Sequence, residues 1–227
     1  MALIDSFLCG LGALPFGLRA WQLGLLGSAT SIGCFFDVGW WSCIGLISTN
    51  YLMHGLIWYH PDAFAAACRQ PPLKLLGNHA VDVFASLEMV AKAIQAVALW
   101  FYLGAVGRTA ALTAVMAAPA WTWAAFAACL AAGQGLNFAT YQAIGNAGVY
   151  YGFKLGREVP WCYGFPFNSG LRHPQYVGVV LTLFGALAVL TCEELLRLGL
   201  AQLILCWAGL YIVMCAMEQA GDNDKTA

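Results

Sequence analysis

The constraint that dominates this chain is a succession of apolar runs about 20 residues long, each sufficient as a helix to cross the hydrocarbon core of a bilayer. They fall at Trp40 to Tyr59, Val81 to Leu103, Leu112 to Ala132, Gln175 to Thr191 and Leu196 to Met217. With 61% hydrophobic and 9% charged residues in 227, the composition lies outside that of ordinary soluble domains. The expected fold is therefore all-α, a polytopic transmembrane helical bundle of four to six spans, integral to the membrane. Residues 37–220 form one membrane domain on this reading. Residues 1–36 are an apolar, Gly-rich extension interrupted by Pro15 and Arg19, either a further span or a surface helix, and 221–227 form a polar tail. A net charge of −1 without a basic run argues against a nucleic-acid partner. Nine cysteines without a CxxC pair, mostly inside apolar segments, read as small core residues and give no metal site.

Charge on the loops sets the expected orientation. When the last four spans alternate across the bilayer, Arg69, Lys74, Lys154, Arg157, Arg172 and Lys225 fall on one side and only Arg108 and Arg197 on the other. The positive-inside rule makes the first side cytosolic. The loop from about 145 to 173 shares that face with the C-terminal tail.

Chemistry concentrates between Gly164 and Gly178, where basic and aromatic residues meet an apolar run. Pro174 suits the first position of a helix, where its missing N–H costs nothing. The N–H groups of Gln175, Tyr176 and Val177 then face the loop with the positive end of the helix dipole, a site suited to a carboxylate or phosphate. Arg172 opposes that dipole, so it either meets an anionic ligand or belongs to the general basic excess of cytosolic loops.

Three other features map to the same face. The span from Leu112 runs on through Gly133-Gln134-Gly135-Leu136-Asn137 to Gln142, with Gly133, Asn137 and Tyr141 four residues apart on one helical face. This is either a close helix-packing contact or a notch beside an amide and a phenol. Glu218 stands at the end of the last apolar run, where the helix dipole disfavours a carboxylate; it is either a solvated end or part of a shared site. Within the span from Val81, Glu88 and Lys92 lie four apart in the favourable order. Such a pair is a functional-site candidate unless it merely neutralises itself between helices. His54 and His60 have no partner spacing that suggests a metal.

The elements Gly133-Gln134-Gly135-Leu136-Asn137, Gly148-Val149-Tyr150-Tyr151-Gly152, Val159-Pro160-Trp161, Gly164-Phe165-Pro166-Phe167 and His173-Pro174-Gln175-Tyr176-Val177-Gly178, in this order, resemble the phospholipid N-methyltransferases. The likeness covers roughly residues 40 to 220 and is strongest from 133 to 185. Isoprenylcysteine carboxyl methyltransferases look similar around His173-Pro174, and a non-catalytic membrane scaffold is the remaining alternative. The GxG, YYG and FPF elements favour the phospholipid branch.

The resemblance implies S-adenosyl-L-methionine as methyl donor, a phospholipid amine as acceptor, and the endoplasmic reticulum membrane with the site toward the cytosol. Gly133 and Gly135 match the family's glycine element, and Glu218 the first acid of a Glu-Glu pair whose second position here is Gln219. Arg172, His173, Pro174 and Tyr176 complete the expected cofactor set, while Asn137, Tyr141 and Trp161 are expected toward the lipid. A protonated amine cannot attack, so a proton acceptor is needed. His173 is the first candidate because imidazole titrates near neutrality, and Glu158 the reserve; His173 alternatively caps the helix or orients the cofactor.

Overall fold

A computed structural model describes residues 38–223. The apolar extension 1–36 lies outside the described residues, as does the end of the polar tail. Every regular element among the described residues is helical. Helix α1 is Trp40–Tyr59, α2 Pro61–Ala67, α3 Ala80–Ala117 and α4 Ala120–Val149. Then follow the short α5 (Gly152–Leu155), α6 (Pro174–Leu190), the short α7 (Glu193–Arg197) and α8 (Leu200–Asn223).

Several boundaries follow from local chemistry. Pro174 occupies the first turn of α6, as its fixed φ and missing N–H require. The run expected from Leu112 to Ala132 is not one helix, because Pro119 separates α3, ending at Ala117, from α4, beginning at Ala120. Residues before a proline are driven toward extended backbone, and Ala118 has φ −60 and ψ 128. Helix α3 is itself broken at Gly104, whose φ of 57 and ψ of −169 only glycine adopts without strain. Beside the break the Arg108 guanidinium donates to the Trp100 carbonyl at 3.1 Å and lies 4.7 Å over the Trp100 ring. Gly145 breaks α4 in the same way, with φ 61 and ψ −175.

Among the described residues two helices, α3 and α8, are long and apolar enough to cross a membrane, and α6 is a shorter apolar helix of 17 residues. The exterior is apolar: Trp41, Leu52, Leu56, Met116, Trp121, Ile212 and Val213 are exposed. The buried set contains Asn50, Glu88, Gln95, Thr122, Asn137 and Thr140. An apolar exterior with a few polar groups buried inside matches a lipid environment rather than water.

Helices α4 and α6 form the most extensive pairing, crossing where Gly133 meets Gly178. Helix α1 packs on α3, and α8 on α1 and α6. Two apolar clusters result. One gathers Ile47, Leu195, Leu200 and Leu203; the other gathers Ile57, Trp58, Val81 and Phe84. Between them on α1 and α3 lie Asn50, His54, Glu88 and Lys92, so a polar layer divides the interior.

Candidate methyl-transfer site

Glu218, near the end of α8, is the centre of the site. Its Oε1 accepts from the Tyr151 hydroxyl at 2.6 Å and from the Tyr176 hydroxyl. Its Oε2 lies 3.3 Å from His173 Nδ1. His173 precedes α6 without a side-chain capping bond, so its ring does not serve as the helix cap considered from the sequence. Instead the imidazole stacks on Tyr176, with centroids 5.5 Å apart and planes 4° apart, and its Nε2 stands 3.5 Å from Gln219. The end of α8 and the start of α6 thus place a carboxylate, an imidazole and an amide together.

Tyr151 joins this cluster to a deeper one. It has φ 53, the one positive φ at a non-glycine position among the described residues, a conformation of about 1–3 kcal/mol strain for a bulky side chain. Its hydroxyl bonds Glu218 on one side and His54 Nδ1, at 3.1 Å, on the other. Burial first, then the Glu218 carboxylate, push this phenol well above its ordinary value, so it remains a hydroxyl. His54 Nε2 in turn lies 3.1 Å from Glu88 Oε2. Glu88 Oε1 meets Lys92 and Asn50 Nδ2, each at 3.2 Å. Lys92 Nζ reaches the Tyr211 hydroxyl at 3.4 Å.

This deeper layer borders a cavity of ≈ 40 Å³ lined on one side by Asn50, Glu88 and Lys92 and on the other by Asn137, Gln175 and Tyr176. Among the described residues Asn50 Oδ1 and Asn137 Nδ2 have no hydrogen-bond partner, although each residue is only 2% exposed. Buried amide atoms without partners are costly, which marks the cavity as a place for a polar ligand. A far wider groove of ≈ 870 Å³, lined by Ala105, Thr109, Ala114, Trp121 and Val189, opens at the Pro119 end and touches none of these groups.

The expected residues separate into three groups. His173, Tyr176, Glu218 and Gln219 converge, with Pro174 buried at the helix start between them. Asn137 and Tyr141 line the cavity, and the Tyr141 hydroxyl lies 2.8 Å from that of Tyr150. Gly133 is buried in the α4–α6 crossing, whereas Gly135 is exposed with nothing near its Cβ position. Arg172 is exposed and makes no ion pair among the described residues. Trp161 is 60% exposed with its ring 5.7 Å from Phe153. Glu158 is exposed on the loop and joins no described bond to the cluster. Sequence reasoning missed His54, Asn50, Tyr151 and Tyr211 as site residues. Asn50 and His54 are four apart on an otherwise apolar helix, as are Glu88 and Lys92, and that repeated spacing was the available signal.

Two basic residues of the loop before the site, Arg157 and Lys154, are anchored. Arg157 grips Asp82 with two bonds, at 2.7 and 2.9 Å, and that contact raises the guanidinium's affinity for its proton further. Lys154 donates to the Trp58 carbonyl at 3.1 Å, with its ammonium 3.9 Å from the Trp58 ring centroid.

The donor set suits S-adenosyl-L-methionine. Among the described residues Glu218 Oε2 meets only His173, which leaves acceptor capacity that could take an ammonium or ribose hydroxyl, and the exposed Arg172 at the helix start could take a carboxylate. Among known proteins, a phosphatidyl-N-methylethanolamine N-methyltransferase of Arabidopsis thaliana is 38% identical over 98 residues, which are 43% of this chain and 54% of that protein. The chain thus spans about half the length of that relative. No solved structure matches. The resemblance expected over roughly residues 40 to 220 is carried by a shorter stretch: over residues 121–220, which supply Gly133, Asn137, His173, Tyr176 and Glu218, the chain matches the phospholipid methyltransferase family.

Proposed function

We propose that this chain transfers methyl groups from S-adenosyl-L-methionine to the amine of phosphatidylethanolamine-type lipids, the mono- and dimethyl forms included, toward phosphatidylcholine. The observation that carries this reading is the convergence of His173, Tyr151 and Tyr176 on the Glu218 carboxylate, within the stretch that matches the family.

Glu218, His173, Arg172 and Gln219 would hold the donor, with Gly135 open beside α4 and Asn137 toward the acceptor. The donor when bound supplies a methyl group on a sulfonium, already activated for displacement. The protein's part is then positional: to exclude water, orient the amine and take its proton. Tyr151 and Tyr176 fix the Glu218 carboxylate, and stacking on Tyr176 fixes the imidazole plane. We place the site toward the cytosol of a bundle of four to six spans, in the endoplasmic reticulum membrane. The basic excess of Arg69, Lys74, Lys154, Arg157 and Arg172 on the site's side supports this orientation.

The test is methyl transfer from labelled S-adenosyl-L-methionine by purified protein to bilayers of phosphatidylethanolamine, its monomethyl form or its dimethyl form. The expected result is label in the lipid, lost with Glu218→Ala. Cofactor binding without transfer to any of these lipids, or transfer to a prenylated cysteine peptide instead, overturns the reading.

A further inference from the structure

The buried network runs from Glu218 through Tyr151 and His54 to Glu88, and its contacts together fix how many protons it holds. Tyr151 has one hydroxyl proton, and it is donated to Glu218 Oε1. The Tyr151 oxygen must then accept from His54 Nδ1–H. His54 Nε2 faces Glu88 Oε2 at 3.1 Å, and a bare nitrogen lone pair against a carboxylate would repel. One more proton is therefore required, on Nε2 or on Glu88. Reversing the direction of the bonds moves the extra proton to Glu218 without removing it. The network is complete only when it holds one proton beyond neutral imidazole and ionised carboxylates. In that state Glu88 and Glu218 balance Lys92 and His54, and the cluster is neutral, the form that a low-dielectric interior favours.

We propose that this network is the proton acceptor for the lipid amine: Glu88 takes the proton, and His54, Tyr151 and Glu218 pass it to His173 at the site's exposed end. The inference rests on the methyl-transfer reading above and adds the route of the proton.

The cavity places the amine beside the first member. Glu88, Lys92 and Asn50 line one wall and Asn137 and Tyr176 the other, and Asn50 Oδ1 is an unpartnered buried acceptor suited to an ammonium N–H. An arriving ammonium brings the positive charge that the mobile proton had supplied, so the proton can leave and the cluster stays neutral. In the step itself one ammonium N–H bond breaks and its electron pair stays on nitrogen, ready to form the new bond to carbon. The proton adds to a Glu88 oxygen. A proton then passes from Glu88 Oε2 to His54 Nε2, another from His54 Nδ1 to Tyr151, and a third from Tyr151 to Glu218, for a net transfer of one. Glu218 hands it to His173 Nδ1, 3.3 Å away.

The groups facing Glu88 are Lys92 on its own helix, His54, Asn50 and Tyr51 on α1, Tyr211 on α8, and Tyr141 and Tyr176 across the cavity. Lys92 and Asn50 hold Glu88 Oε1, which leaves Oε2 turned to His54. His54 Nε2, 3.1 Å from Glu88 Oε2, is the next member of the chain. The left-handed backbone at Tyr151 is consistent with this role, because it holds the one hydroxyl that touches both His54 and Glu218.

The experiment measures the pH dependence of kcat for transfer to bilayers of monomethyl phosphatidylethanolamine, with binding of S-adenosyl-L-methionine followed by calorimetry. Wild type is compared with Glu88→Gln, Glu88→Asp, and Glu88→Gln combined with Lys92→Met, which removes the charge that the single change would strand. The expected result is a fall in kcat on the order of 100-fold for the neutral variants, cofactor affinity within about twofold of wild type, recovery at alkaline pH where the lipid amine deprotonates unaided, and partial rescue by Glu88→Asp. Wild-type kcat in the folded double variant, or reduced kcat with an unaltered pH profile, overturns the relay. Transfer to lipid by wild type with either of those results leaves the methyl-transfer reading standing; absence of transfer by wild type ends both.

Discussion

Gly133 and Gly178 pack backbone against backbone: a Cβ on Gly133 would lie 2.4 Å from the Gly178 carbonyl oxygen, and one on Gly178 would lie 2.5 Å from the Gly133 oxygen. Each glycine faces the backbone of the opposite helix, so the crossing of α4 and α6 permits no side chain at either position. This crossing joins the helix carrying Asn137 to the one carrying Tyr176, and thereby sets the width of the cavity between them.

Gly133→Ala and Gly178→Ala are expected to destabilise the protein by about 1–3 kcal/mol, because the neighbours that would have to move are backbone atoms. Gly135→Ala, with open space at its Cβ position, should leave stability unchanged. Thermal unfolding in detergent separates the two, and a weakened affinity for S-adenosyl-L-methionine in Gly135→Ala alone would place that glycine against the cofactor.

Glu218→Gln keeps the side chain's size and removes its charge. A hydrogen bond to a charged group is worth about 1.5–3 kcal/mol, so affinity for S-adenosyl-L-methionine should fall by roughly 10- to 100-fold. Tyr176→Phe removes one of the donors that hold the carboxylate and should cost less, on the order of tenfold. Calorimetric titration checks both, and equal affinity in wild type and Glu218→Gln would remove Glu218 from the cofactor's contacts.

His173 and Glu158 should respond differently. His173 touches Glu218, Gln219 and Tyr176, and His173→Gln is expected to lower kcat/KM by at least about tenfold. Glu158 is exposed and apart from the cluster, so Glu158→Gln should change kcat less than about twofold and leave the pH profile in place. The reverse ranking in a methyl-transfer assay would move the proton chemistry to the loop.

Arg157 and Asp82 tie the loop before the site to the start of α3 with paired bonds, but their side chains are 33% and 45% exposed. Solvent screening limits such a pair to about 1 kcal/mol, so Arg157→Ala should lower stability by no more than that and Arg157→Lys by less. The charge-swapped pair Arg157→Asp with Asp82→Arg should recover part of the loss, which a double-mutant cycle on unfolding measures.

The long apolar runs, Pro174 at a helix start and the acid that closes the last helix could all be read directly, because apolar length, proline geometry and position along the chain are local properties. From these follow the helical character of residues 38–223 and the candidate chemistry between Gly133 and Glu218. Pro119 divides the apolar run from Leu112 to Ala132, so that one expected span is the end of α3 and the start of α4. Which polar residues meet depends on how the helices pack. Tyr151 and Glu218 are 67 residues apart, and His54 and Tyr151 are 97 apart. Nothing in the spacing of one helix encodes the rotation of another. The same crossing of α4 and α6 buried Gly133 against Gly178 and left Gly135 exposed, although the two look equivalent as letters in a GxG element. Residues two apart on a helix point about 200° from each other, so once packing had fixed the face of α4, one glycine was committed to the helix contact and the other to the outside.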